Sequence, residues 1–276
     1  MAEFGVRGHD FGTMDTKSLA GRIAAAGFTR VQLAPAKALS DFPGSAGVVL
    51  SLEMETAFAH RVSRVFADAG VGISVLGCYV DPLNPDPGQR ALEDVRFRRA
   101  VSLATAYGAG MVATETSQCL EVDARFAELE KIVEGWARWA EERHVRIAIE
   151  PVFGHTVSDP RKARQLLLDI TSPALGIVFD PANLVNPADP ASQASLFGQA
   201  IDLLGDRIMA VHAKDFLIDA GKKVSTIPGK GIMDWKAALG GYANLPLFPA
   251  ILIEDQKPLD LAASRSFIEA IIEDGG

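Results

Sequence analysis

The chain has 276 residues, a formal net charge of −8 and two cysteines, Cys78 and Cys119. That length suits one domain with a core of its own, and two cysteines make no disulfide framework, which points to a reduced, cytoplasmic setting. The acidic balance argues against nucleic acid as a partner, and no window approaches the ~18 consecutive apolar residues of a membrane span.

The N-terminal MAEFGVRGHD has no apolar core of signal-peptide length, because Arg7, His9 and Asp10 interrupt it. FGVRGH (4–9) predicts the first strand. TKSLAGRIAAAG then predicts a helix with Leu19, Ile23 and Ala26 on one face, capped by Asp15 or Thr16 and ended at Gly27. TRVQLA (29–34), GISVLGCY (72–79), GMVATET (110–116), VRIAIE (145–150), LGIVFD (175–180), IMAVHA (208–213) and AILIED (250–255) predict seven more strands. Helical patterns separate or follow them at 52–69, 90–108, 122–143, 159–170, 192–205, 234–242 and 259–273.

Eight apolar strands, each leading to a helix, favour an α/β fold of one kind: a single (β/α)8 TIM barrel over residues 1–276. An open doubly wound sheet often opens on a Gly-rich turn, and neither GxGxxG nor GxxxxGK[ST] occurs. The segments 35–51, 81–90, 181–192 and 217–233 are predicted loops over the barrel mouth.

The runs end on polar residues: His9, Gln32, Cys78–Tyr79, Glu115, Glu150, Asp180, His212 and Glu254. A strand's C-terminal end opens into the mouth, where this fold keeps its active sites. Glu150 to Asp180 is 30 residues, Asp180 to His212 is 32 and His212 to Glu254 is 42, each about one βα unit. The four side chains are therefore expected side by side at one height. Three carboxylates in a dry mouth repel one another unless a cation joins them. One divalent metal ion is expected on Glu150, Asp180, His212 and Glu254, with Mn²⁺, Mg²⁺ or Co²⁺ favoured by the oxygen-rich set and Zn²⁺ compatible with it.

IAIEP (147–151), IVFDPANL (177–184), VHAKDF (211–216), PGKGIMDW (228–235) and LIED (252–255) together resemble the xylose-isomerase-like TIM-barrel superfamily. The resemblance implies the same four metal ligands. It also implies that Glu150 and Glu254 are the acid and base of a metal-dependent isomerase or epimerase. Such an enzyme acts on a sugar, a sugar acid or a cyclitol through an enediolate. Loss of water from the same intermediate would make a cyclitol dehydratase instead. A DNA abasic-site endonuclease, which wants several zinc-binding histidines, and a barrel that only binds a ligand are the remaining readings; five histidines and a charge of −8 weigh against the endonuclease.

The expected partner is a carbohydrate-like small molecule, with self-association as a dimer or tetramer. Candidate substrate contacts are His155, Asn183, Glu115, Lys214 and His9, all but Asn183 with a plainer alternative. His155 is otherwise a loop histidine, Glu115 a salt-bridge partner, Lys214 an ion-pair partner and His9 a packing residue. Many sugar-converting relatives carry His where this chain has Asn183, which accepts and donates hydrogen bonds but does not titrate. Lys230, His60 and His144 read as solvated surface residues, Trp136 and Trp139 as helix packing, and Cys78 as a small apolar group lining the upper barrel.

Overall fold

The computed structural model describes residues 2–43, 51–118 and 122–275. Residues 44–50 of the expected 35–51 loop and Cys119 lie outside the described residues.

Among the described residues ten strands form: β1 (Phe4–Arg7), β2 (Arg30–Leu33), β3 (Gly72–Gly77), β4 (Met111–Glu115), β5 (Arg146–Glu150), β6 (Leu175–Phe179), β7 (Ile208–Ala213), β8 (Asp215–Asp219), β9 (Lys222–Thr226) and β10 (Ala250–Ile253). All but β8 and β9 close a parallel barrel in the order β1-β10-β7-β6-β5-β4-β3-β2, the single (β/α)8 barrel expected. The helices are α1 (Thr16–Ala25), α2 (Pro35–Ala38), α3 (Leu52–Asp68), α4 (Pro87–Ala104), α5 (Val122–Glu141), α6 (Pro160–Asp169), α7 (Pro181–Leu184), α8 (Gln193–Leu204), α9 (Trp235–Leu239) and α10 (Leu261–Asp274).

Local chemistry sets the helix starts. Asp15, Ser51, Asp86, Asp159 and Asp234 each accept a first-turn backbone N–H of α1, α3, α4, α6 and α9. Each such cap is worth about 1 kcal/mol. Pro87 and Pro160 occupy first-turn positions, where a missing N–H costs nothing.

Strand alternation divides the apolar residues into two cores. Ile147 and Ile149 of β5 face the helices, whereas Ala148 joins Val75, Met111, Ala113, Val178, Ala210 and Leu252 inside the barrel. The interior is tight: a Cβ on Gly5 would stand 2.7 Å from both Leu252 Cδ2 and the Arg30 backbone oxygen. Two residues beyond Ala148, Glu150 has the same inward parity at the strand's end. Trp136 stacks on Phe97 at 4.0 Å and donates to Asp94 Oδ1, tying α5 to α4. Trp139 bonds the Arg98 backbone of α4, so both tryptophans pack helices as expected.

The 217–233 segment departs from its expectation as a plain loop. β8 and β9 pair as an antiparallel hairpin from Asp215↔Thr226 to Asp219↔Lys222. Lys223 Nζ staples it to the α7 segment through the Ala182 and Val185 carbonyls, at 2.8 and 3.1 Å. The chain then returns over the Asp215 carboxylate, which accepts from the backbone N–H of Phe216, Gly229, Gly231 and Met233 and from Trp235 Nε1. Among the described residues, no helix is long and apolar enough to cross a membrane.

Candidate metal centre

Four neighbouring strand ends bring the expected ligands into one layer. Glu150 closes β5, Asp180 follows β6, His212 lies in β7 and Glu254 follows β10. They are 5%, 0%, 2% and 2% exposed, so their charges must be balanced inside the protein. Ligand atoms of Glu150, Asp180 and His212 all lie within 4.8 Å of one another. His212 Nδ1 stands 3.2 Å from Glu150 Oε2, 3.6 Å from Asp180 Oδ2 and 3.3 Å from Glu254 Oε1.

Each side chain is aimed by a partner. Asp180 caps α7, its Oδ1 accepting from Asn183 N at 3.0 Å, which leaves Oδ2 facing the centre. Asn183 Nδ2, expected at the substrate, donates to Glu150 Oε1 at 2.5 Å, so its amide holds one of the expected ligand glutamates. The short Asp-Pro-Ala-Asn turn places that amide back over β5. His212 Nε2 meets Gln32 Oε1 at 2.9 Å.

Lys214 makes the ion pairs that were the plainer of its two alternatives. Its ammonium is 2.7 Å from Asp180 Oδ2 and 3.3 Å from Glu254 Oε2. Burial opposes the charge, but Asp180 and Glu254 outweigh it and hold the pKa well above that of a free lysine. Arg7 enters from β1 and was not singled out by sequence reasoning. It donates to Glu254 Oε2 at 3.2 Å, to Asp10 at 2.7 Å, and to Asp255. Its inward parity at the end of β1 was the available signal.

The residues fit a divalent cation. Four carboxylates (Asp10, Asp180, Glu254 and Asp255) share two permanent cations, Arg7 and Lys214, while Glu150 stands against His212. His212 Nδ1 and Asp180 Oδ2 are buried and make no properly directed hydrogen bond. Burial opposes a charged His212 ring, yet Glu254 and Glu150 push its pKa up to about 10. Glu254 stands slightly apart from the other three, its Oε2 held by Arg7 and Lys214 while Oε1 turns toward His212.

The remaining candidates divide. Glu115, in register with Glu150, is raised to about 7, first by burial and then by the Glu150 charge. His155 Nδ1 lies 4.0 Å from Glu115 Oε2 and is buried without a hydrogen bond. Together with Tyr79, Asp81, Ser117 and Gln118 they line a cavity of about 340 Å³. His9 packs edge-on against Tyr79, and burial, then Arg7 and Lys37, lower its pKa to about 4. Lys230, His60 and His144 are exposed. Cys78 faces α4 rather than the mouth, its Sγ 3.9 Å from the Arg96 carbonyl.

A family model described as xylose isomerase-like TIM barrel matches residues 20–241. No curated protein sequence matches the chain. Among solved structures, a xylose isomerase-like TIM barrel/4-hydroxyphenylpyruvate dioxygenase fusion protein superposes with TM-score 0.76 at 18% identity, over 99% of this chain and 43% of that one. The chain thus spans less than half of that fusion protein. An IOLI protein with a binding zinc atom gives 0.75 at 14%, over 99% of each chain. D-psicose 3-epimerase in the presence of D-fructose gives 0.70 at 14%, over 100% of this chain and 96% of that one. At these identities the likeness is one of fold. The family match, spanning most of the barrel, rests on the sequence itself, and by it the chain belongs to the xylose isomerase-like TIM-barrel family.

Proposed function

We propose that the chain is a divalent-metal-dependent isomerase or epimerase of a sugar, sugar acid or cyclitol, working through an enediolate. One observation carries the reading: Glu150 and Glu254 approach the same buried, unbonded His212 nitrogen, at 3.2 and 3.3 Å, so two glutamates flank one cation position.

The ion would be held by Glu150, Asp180, His212 and Glu254, and when bound it supplies positive charge against the negative charge that develops on the substrate. One glutamate removes the proton α to the substrate carbonyl. The other returns a proton to the opposite face for epimerisation, and a single carrier between adjacent carbons gives isomerisation. Asn183 and the Arg7–Lys214 pair fix the two carboxylates so that little reorganisation is needed. The same reading takes a carbohydrate-like small molecule as the partner, a dimer or tetramer as the assembly and the cytoplasm as the setting.

A dehydratase reading has its own support. Glu115 is a third glutamate beside the centre, held neutral up to about 7 by burial and by Glu150, and suited to hand a proton to a leaving hydroxyl. The test is a panel of ketoses and 2-keto-cyclitols with Mn²⁺-loaded protein in D₂O. Deuterium appearing at the α-carbon, and lost in Glu254→Gln, supports proton transfer at this site. Loss of 18 mass units selects the dehydratase. No exchange with any carbonyl substrate refutes both.

A further inference from the structure

The end of β2 carries a glutamine and the end of β3 a tyrosine that none of the steps above uses. Both belong to one buried chain of hydrogen bonds. Gln32 is 2% exposed; its Nε2 donates to Tyr79 Oη at 3.0 Å and its Oε1 faces His212 Nε2 at 2.9 Å. Tyr79 is itself clamped, with the Lys37 ammonium 3.8 Å over its ring and the His9 ring edge-on at 6.1 Å. Burial pushes the Tyr79 hydroxyl well above its usual pKa, so it stays a neutral hydrogen-bonding group.

An amide has a distinct donor end and acceptor end. With Nε2 spent on Tyr79, Gln32 offers His212 an oxygen, and the ring nitrogen facing an oxygen must carry a proton. That leaves Nδ1, the nitrogen ringed by Glu150, Asp180 and Glu254, as the one whose proton a cation can displace. The opposite amide orientation would present N–H to Nε2, strip that nitrogen of its proton, and close Nδ1 with a proton instead.

We infer that Gln32 and Tyr79 are positioning residues for the metal centre: Tyr79 tethers the Gln32 side chain, and the Gln32 amide oxygen fixes His212 with Nε2 protonated and Nδ1 turned to the cation. This rests on the metal-dependent reading of the site. Partners of this kind typically change metal affinity by roughly 10- to 100-fold.

The experiment titrates Mn²⁺ alone into the full chain by calorimetry, with substrate absent. Gln32→Met keeps the shape and removes the acceptor, and its Kd is expected to rise roughly 10- to 100-fold. Gln32→Glu keeps an oxygen toward Nε2 and is expected to bind at least as tightly as the parent. Tyr79→Phe frees the amide to rotate and gives a smaller loss; it also serves if Gln32→Met fails to fold. Nitrogen-15 spectra of histidine-labelled, metal-free protein give a second readout, a slowly exchanging Nε2–H of His212 whose slow exchange persists in Gln32→Glu and is lost in Gln32→Met. Unchanged Mn²⁺ affinity in Gln32→Met, or an Nε2 without a proton in the parent, overturns the inference. A parent that binds no divalent cation overturns the metal reading instead, and the Nε2–H signal still decides the relay.

Discussion

Lys214 reaches Asp180 across 2.7 Å inside a layer where Asp180 has no solvent exposure. A pair this deep is held together by what would happen if one member left: removing one partner of a buried pair costs about 3–5 kcal/mol, because the other charge stays behind uncompensated. Lys214→Met is therefore expected to lower the stability of metal-free protein by about that amount, read as a lower urea midpoint at unchanged slope. A divalent cation would replace part of the missing charge. Mn²⁺ should then shift the variant's midpoint further than the parent's; equal shifts would show that the ammonium and the cation do not share these carboxylates.

The second prediction concerns the cation itself. A ligand that binds only the folded state adds about 2.7 kcal/mol at 100 times its Kd. Mn²⁺ at that excess should raise the melting temperature of EDTA-treated protein, and Asp180→Asn should abolish the rise. Asp180 is the sharpest choice because its Oδ1 caps α7 and only Oδ2 faces the centre. Asparagine keeps an oxygen for the cap while removing the charge. A full Mn²⁺ response in Asp180→Asn would place the cation elsewhere.

Much of this centre was legible in the sequence for a physical reason. Glu150, Asp180, His212 and Glu254 end apolar runs, and a titratable residue there has only the barrel mouth to point into. Arg7 was only half legible: its place at the end of β1 gives it inward parity, but its partners Glu254 and Asp255 lie 247 and 248 residues away and meet it only where β10 closes against β1. Asn183 read as a pocket residue, since nothing in its spacing says that one short turn swings its amide back to Glu150. The β8–β9 hairpin was hidden for another reason. KKVST has no apolar alternation, and Leu217 and Val224 pair on an exposed face.

The third prediction tests the roof. Asp215 is 1% exposed and accepts from five N–H groups, four of them backbone and one from Trp235. Each buried donor left without an acceptor costs about 1–3 kcal/mol. Asp215→Ala should cost at least about 3 kcal/mol, whereas Asp215→Asn, which keeps one acceptor oxygen, should lose less. Hydrogen exchange at the amides of Gly229, Gly231 and Met233 should accelerate in both. Unchanged protection there would mean that the loop is held by other contacts.

Cys78 gives the fourth prediction, one with a pH sign. Burial pushes its thiol up to about 12, Arg96 offsetting only part of the effect. At pH 8 the thiolate fraction is then roughly one in ten thousand, and since the thiolate is the reacting form, a disulfide reagent should leave Cys78 unmodified in folded protein. An unfolded thiol ionises from about 8.5 upward, while the folded one stays neutral to about 12. The folded state binds the proton more tightly, so the contribution to stability is complete below about 8.5 and fades as pH rises toward 12. Cys78→Ser should weaken that alkaline loss, because serine has no ionisation in the range. Peptide mapping after labelling at pH 8, with and without urea, checks the first claim, and urea midpoints of parent and variant between pH 8 and 10 check the second. Rapid labelling of Cys78 in the folded protein would show that the pocket against α4 opens far more often than its packing implies.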